Sequence, residues 1–273
     1  MNHALVFPNA GAFAVPRLLA ELAYEAEVAG FDGFFVSDTV ELEGNPVCDP
    51  WIVLAAAATA TERIRIGTLV LALARRRPWL AAREAVTLDH LSGGRLILGV
   101  GAGFGDMGFT RFGESDDARI KAARLDEGLV ILCGLMTGNP FRFSGGHYTV
   151  AETTFLPRPV QEHVPIWIAA NRGAKVRGPL ERASRHDGIL GDVGRHNAEE
   201  ILAFVRERRG PDVSFDLVAS VHGDDEMADV LDNLADCEAK GITWVRYELG
   251  SMFDTLDDLG PARRFVSEGV PTA

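Results

Sequence analysis

Leu88 to Gly103 reads LDHLSGGRLILGVGAG and carries the strongest chemical signal in the chain. A helix ends at the Ser92-Gly93-Gly94 turn. Arg95 then opens the apolar run Leu96-Ile97-Leu98, which leaves through Gly99, Gly101, Ala102 and Gly103. Glycine after a buried strand lets backbone come close to something flat or charged. An ordinary structural strand needs no such opening, so this exit reads as the wall of a cofactor site. The plainer alternative is a tight turn onto the next helix. A second candidate is Ala169-Ala170-Asn171-Arg172-Gly173. Small residues and a glycine precede a helix there, and its free N–H groups favour a phosphate. Arg172 adds charge-assisted donors. The alternatives are a solvated loop arginine and two alanines in tight packing.

Other groups could carry chemistry. Asp38, in Ser37-Asp38-Thr39 after a short strand, could contact a ring nitrogen or a sugar hydroxyl, or cap its own loop. The seven histidines are scattered. His90 reads as a helix-end residue favoured by the dipole, His147 and His163 as surface residues, and His186 as structural. His222 alone falls at the functional end of a strand, which makes it the candidate acid–base group beside Asp38. Tyr247 and Glu248 could approach from the next strand. The chain has no HExxH and no Cys/His pair at ligand spacing, so a metal is not expected. It has no G-x-S-x-G elbow, which argues against a serine hydrolase. No lysine stands at a strand end to form a Schiff base, which argues against an aldolase.

These groups need a scaffold that gathers strand ends. Short apolar runs at His3–Phe7, Gly33–Val36, Ile64–Val70, Leu96–Val100, Pro165–Ala169, Gly188–Leu190, Ser214–Ser220 and Thr243–Tyr247 read as strands. Helical patterns near Pro16–Ala29, Asp49–Ala60, Pro78–Leu91, Asp117–Met136, Lys175–Arg185, Ala198–Arg209, Asp225–Lys240 and Pro261–Glu268 alternate with them. Strand and helix in turn, eight times over, predict an α/β (β/α)8 TIM barrel, read as one domain over 1–273. Pro16, Pro50 and Pro78 fall in first helical turns, where a missing N–H costs nothing. Asp49 is an N-cap, and Gly30 and Gly241 read as left-handed helix ends. The irregular excursion, Thr137 to Val164, lies between the fourth helix and the fifth barrel strand. Within it Phe141–Phe143 and His147–Thr149 flank Ser144-Gly145-Gly146 as a small hairpin. A doubly wound sheet would carry its phosphate fingerprint in the first strand–helix turn. Here that turn is Pro8-Asn9-Ala10-Gly11, and GVGAG lacks the G-x-G-x-x-G spacing.

Acidic side chains outnumber basic ones, 39 to 27, for a net charge of -12. That argues against a nucleic acid or an anionic membrane as partner and leaves a small-molecule substrate open. Cys48, Cys133 and Cys237 are far apart, which suits free thiols in a reducing compartment. The N-terminus lacks a basic segment followed by an apolar core, so no signal peptide is expected. No apolar stretch is long enough to span a bilayer. These points together read as a cytoplasmic protein.

The stretches AEVAGFDGFFVSD (Ala26 to Asp38), TERIRIGTLVLAL (Thr61 to Leu73), RRRPWLAARE (Arg75 to Glu84), LDHLSGGRLILGVGAG and FLPRPVQEHVPIWIAAN (Phe155 to Asn171) add up to a family pattern. In order and spacing, over nearly the whole chain, they resemble the bacterial luciferase-like flavin-dependent oxidoreductases. The resemblance implies a (β/α)8 barrel holding FMN, or the deazaflavin coenzyme F420, at the C-terminal strand ends, in a homodimer. It implies either monooxygenation with FMN or two-electron dehydrogenation or reduction with F420, acting on a small organic substrate. A flavin-binding protein without turnover is the alternative. By position, Thr68, Leu69 and Val70 would back the isoalloxazine ring, with a non-proline cis peptide at Leu69–Val70. Asp38 and Thr39 would lie beside the cofactor, Gly101 and Gly103 would flank its ring or tail, and Ala170, Asn171 and Arg172 match the phosphate-side turn. Many deazaflavin-using relatives carry Asp-His where this chain has Asp38-Thr39, so that proton-transfer role is vacant here.

Overall fold

The structure is a computed structural model that describes all residues except 104–107, 171–176, 192, 195, 222–227, 229–231, 233, 253–255 and 272–273. Eight parallel strands close into a barrel: β1 (Asn2–Phe7), β2 (Gly33–Val36), β3 (Arg65–Ala72), β4 (Leu96–Gly101), β7 (Ile166–Ala170), β8 (Gly188–Gly191), β9 (Asp216–Val221) and β10 (Trp244–Glu248). The barrel closes where β10 pairs with β1, with Leu5 opposite Tyr247 and Val6 opposite Glu248. The remaining two strands, β5 (Pro140–Ser144) and β6 (Thr149–Thr154), form an antiparallel hairpin inside the expected excursion. The hairpin's second strand starts at Thr149 rather than at His147. The N–H groups of Gly146, His147 and Tyr148 donate instead to the Glu127 carboxylate, at 2.7, 2.9 and 3.0 Å.

Around the barrel run α1 (Pro16–Val28), α2 (Pro50–Ala60), α3 (Pro78–Ser92), α4 (Ala118–Met136), α5 (Arg177–Ala183) and α6 (Ala198–Arg209), with further helices over Leu234–Ala239 and Gly260–Glu268. Of the helical pattern expected over Asp225–Lys240, most of residues 225–233 lies outside the described residues. The starts follow local chemistry. Asp49 accepts the N–H of Trp51 and of Ile52 in α2, and Asp117 does the same for Arg119 and Ile120 in α4. Pro16, Pro50 and Pro78 each open a helix. At the end of α3 Gly93 takes the left-handed conformation, at φ 66°, that side chains other than glycine rarely adopt.

Strand alternation divides the buried residues into two layers. Leu5, Phe7, Phe34, Val36, Ile66, Leu98, Ile168 and Tyr247 face the helices. Ala4, Val6, Phe35, Leu69, Ile97, Trp167, Leu190, Val218 and Trp244 fill the barrel. The N-terminal floor is tied by charge. Arg95, 9% exposed, donates to the carbonyls of Ala58, Thr61, Ile64 and Ser92. Glu27 accepts the N–H of Arg63 at 2.6 Å and of Ile64 at 2.7 Å where β3 begins. These buried charges hold the entry to β3 and β4, so the opposite ends of the strands are set in place.

Candidate active site at the barrel mouth

The C-terminal ends of the strands make a mouth with two unlike sides. On the β3–β4–β7 side the chain is small and apolar. Gly99 has no room for a side chain: a Cβ there would lie 2.1 Å from Leu69 Cδ2 and 2.6 Å from the Thr68 carbonyl oxygen. One step nearer the mouth, a Cβ on Gly101 would lie 3.2 Å from both Val70 Cγ2 and Ala169 Cβ. Val70, Gly101 and Ala169 are therefore packed side by side, with Gly101 leaving little room for a side chain between the other two. The Leu69–Val70 peptide is cis, and the β3–β4 register shifts between Thr68 and Leu71. Thr68 is fully buried behind this surface, its hydroxyl donating to the Gly99 carbonyl at 3.2 Å.

The β9–β10 side is polar. Val218 and Trp244 belong to the barrel interior, so Ser220, Arg246 and Glu248 point inward above them. Arg246 Nε donates to Ser220 Oγ at 2.9 Å, and its guanidinium pairs with Glu248. Loops close the flank near β2. The fully buried Asn9 holds Thr39 and Cys48 by its side chain, donating to both carbonyls and accepting the Thr39 N–H. Arg111 pairs with Glu41 at 2.5 Å and so joins the segment after β4 to the loop after β2. Phe109 is buried against Arg75, whose guanidinium carbon lies 4.5 Å from the ring centre, and Lys121, 4.8 Å from it. Among the described residues no group of His, Cys, Asp and Glu is placed to hold a metal, and no helix is long and apolar enough to cross a membrane.

This architecture has clear relatives. Residues 2–259 match the family described as luciferase-like monooxygenase. The chain belongs to the luciferase-like monooxygenase family. It is 30% identical over 246 residues to an uncharacterized protein of Mycobacterium tuberculosis, covering 81% of each chain. It is 35% identical over 184 residues to the F420-dependent glucose-6-phosphate dehydrogenase of Beutenbergia cavernae, covering 65% of this chain and 51% of that protein. Among solved structures, monooxygenase RslO1 from Streptomyces bottropensis superposes with a TM-score of 0.69 at 25% identity, covering 88% of this chain and 77% of that one. An F420-dependent secondary alcohol dehydrogenase shares the fold, with a TM-score of 0.76 at 15% identity and coverage of 90% and 92%. The family makes this luciferase-like chain an oxidoreductase.

The expected site residues fall in several places. Thr68, Leu69, Val70 and Gly101 come together on the apolar side. Asp38 is buried, and both its oxygens are engaged, by Arg76 and by the Ala72 N–H. Thr39 is buried in the loop held by Asn9. Gly103 has φ 89°, and a Cβ there would lie 2.9 Å from the Phe109 ring, so its own loop dictates glycine. Ala170 faces the helical layer, and its neighbour Ala169 faces the mouth. Tyr247 also points outward, packed 5.2 Å from the Phe265 ring centre, and burial pushes its hydroxyl well above the ordinary range. Asn171, Arg172 and His222 lie outside the described residues. Sequence reasoning named Ala169 only within the phosphate-side turn and did not single out Asn9 or Arg76. Alternation from Trp167 was the available signal for Ala169. Asn9 and Arg76 act across loops and left no local signal.

Proposed function

We propose that this luciferase-like protein is an oxidoreductase that holds a tricyclic flavin-type ring against Val70, Gly101 and Ala169. The observation that carries this is the cradle at Gly101, where a Cβ would meet Val70 and Ala169 at 3.2 Å. Val70, Gly101 and Ala169 thus present a closely packed apolar lining at the mouth, and it fits such a ring. When bound, the ring supplies two-electron chemistry. The chain's own residues orient it and keep water away: Thr68 and Leu69 back the surface, and Asp38, clamped by Arg76, fixes the loop that carries Thr39. Gly103 lets the chain turn beside it, and Ala170, Asn171 and Arg172 are assigned to the phosphate end of the cofactor. His222 remains the acid–base candidate.

The deazaflavin F420 is the first choice of cofactor, since relatives at 34–35% identity are F420-dependent dehydrogenases. FMN is the second choice, supported by the monooxygenase family and by RslO1. The substrate is a small organic molecule. A homodimer is supported by an unpartnered apolar face on α2 and α3, where Ile52, Leu80 and Leu91 are 62, 54 and 47% exposed. The three free thiols support a cytoplasmic setting.

The test is a fluorescence titration of the purified protein with F420, FMN and riboflavin side by side. F420 is expected to bind tightest. Arg172→Ala is expected to weaken a phosphorylated ligand about ten-fold or more, as loss of a charge-assisted contact does, and riboflavin much less. Failure of all three to bind overturns the reading.

A further inference from the structure

The interior of the barrel is apolar from Ala4 to Trp244, and then a charged pair stands directly above it. Arg246 and Glu248 lie two residues apart on β10, and both face inward. Their side chains are 8 and 21% exposed. Stability alone does not call for this pair. Replacing a buried ion pair with apolar residues is often neutral or stabilising, and a leucine at 246 would simply extend the layer of Val218 and Trp244. The pair is also held in an unusually defined way. Ser220, opposite Arg246 in the β9–β10 register, accepts from Arg246 Nε at 2.9 Å and donates to the Gly191 carbonyl at 3.3 Å. One hydroxyl and one carboxylate fix the plane of the guanidinium, while its five-donor fork has more donors than a single serine takes up. Across the mouth stands the wall of Val70, Gly101 and Ala169.

We propose that Arg246 is the substrate-contacting residue of the mouth, donating to the oxygen of a neutral carbonyl compound or alcohol, with Ser220 and Glu248 as its positioning residues. This rests on the reading that a ring occupies the opposite wall, which leaves the β9–β10 side to the substrate. The preference for a neutral oxygen follows from charge. Glu248 offsets Arg246, so an anion attracted by the guanidinium also meets a carboxylate. A carbonyl oxygen takes a hydrogen bond from Arg246 without displacing Glu248, and an alcohol can also donate to Glu248.

The test uses the full chain loaded with whichever cofactor the titration shows to bind. Butanone and its near-isosteric anion propionate serve as probes, followed through the absorption spectrum of the bound cofactor. Butanone is expected to give a saturable spectral change in the unmodified protein, with propionate about ten-fold weaker or worse. Arg246→Met is expected to weaken butanone about ten-fold while cofactor affinity stays within about threefold. Because that variant also removes the counter-charge that Arg246 gives Glu248, Arg246→Met/Glu248→Gln is measured as well and is expected to show the same loss. Ser220→Ala, which only releases the guanidinium, is expected to weaken butanone a few-fold, a change a merely structural arginine would not transmit. The proposal is overturned if propionate binds more tightly than butanone, if butanone gives no saturable change, or if it binds the Arg246 variants as well as the unmodified protein. A protein that takes up no cofactor fails at the earlier step, the ring seat, and the assignment of Arg246 falls with it.

Discussion

Arg76 grips both oxygens of Asp38: Nε lies 2.8 Å from Oδ2 and Nη2 lies 2.5 Å from Oδ1. The Ala72 N–H completes the set at 3.1 Å from Oδ2. The Asp38 side chain has no solvent exposure, and that of Arg76 is 18% exposed. This contact ties the end of β2 to the turn after β3, the two segments that flank the Leu69–Val70 wall. Burial alone would make the Arg76 guanidinium easier to deprotonate, but the hydrogen bond and charge of Asp38, with Glu84 and Asp49, prevail and hold it more firmly charged. A carboxylate so engaged holds the loop after β2 in place.

Removing one partner should therefore cost more than removing both. Arg76→Met leaves a buried carboxylate without its counter-charge, which typically costs about 3–5 kcal/mol. Asp38→Asn in the same chain should recover a large part of that loss. Urea denaturation of the two single variants and the double variant measures the coupling. Simply additive losses would show that the clamp contributes nothing as a pair.

The glycines of β4 should separate folding from binding. A Cβ at Gly99 would sit 2.1 Å from Leu69 Cδ2 and 2.6 Å from the Thr68 carbonyl oxygen, whereas at Gly101 the nearest atoms are 3.2 Å away. Gly99→Ala should lower stability severely through overpacking. Gly101→Ala should stay folded, because Val70 and Ala169 need to give by only a few tenths of an ångström, yet its methyl thickens the ring seat. Thermal melting should show a large loss for the first variant and a small one for the second. Cofactor titration should show about a ten-fold loss for Gly101→Ala. A valine there would press on the protein itself as well as on a ligand, so alanine is the cleaner probe.

The barrel was legible because its signals are local. Alternating apolar runs, first-turn prolines at 16, 50 and 78, the Asp49 cap and glycines after helices each act within a few residues, and each appears where the sequence places it. The cis peptide at Leu69–Val70 was reached by resemblance alone, since nothing in the residue types demands it. What was not legible depends on facing and on distance along the chain. That Ala169 faces the mouth and Ala170 the helices depends on strand parity. The sequence leaves Asp38 between a ligand contact and a cap of its own loop, because its partner Arg76 lies 38 positions away. Nor could the sequence show that the Phe109 ring, which arrives from beyond the turn, lies against Gly103.

Acid should loosen the floor of the barrel at Glu27. Burial favours its neutral form, but hydrogen bonds from the N–H groups of Ile64, Arg63 and Glu62 and the charge of Arg63 outweigh that and hold the carboxyl below its ordinary value of 4.5. A carboxyl with a depressed folded value contributes stability that is fully present above the unfolded value and is lost as pH falls through the folded one. Glu27→Gln should therefore be less stable than the unmodified chain at pH 7, by about 1–3 kcal/mol. The gap should close as pH is taken below the ordinary carboxyl range. Urea midpoints measured for both proteins across that range test this, and a gap that widens in acid would contradict it.

No single histidine should prove essential. His3 Nδ1 lies 2.9 Å from the Tyr247 hydroxyl on the outer face of the barrel, and His90 Nε2 lies 2.8 Å from the Arg158 carbonyl at the end of α3. His163 pairs with Asp187 at 2.7 Å beside the N-terminal end of β8. Burial pushes His186 down to about 4, so it stays neutral at physiological pH. His147 sits in the exposed turn of the hairpin, and His196 lies in the turn before α6. His222 follows β9, and only its place in the sequence recommends it. In the two-electron chemistry proposed above, water can supply the proton. Each His→Ala variant should keep turnover within about ten-fold, because loss of a positioned acid or base typically costs about 10²–10⁴-fold. With FMN, oxidation of the reduced cofactor by oxygen is a first assay; with F420, whose reduced form is nearly inert to oxygen, the assay is hydride transfer to or from a carbonyl compound or alcohol. If His222→Ala alone lost about a hundred-fold with cofactor binding intact, the prediction would fail, and His222 would be the group that moves the proton.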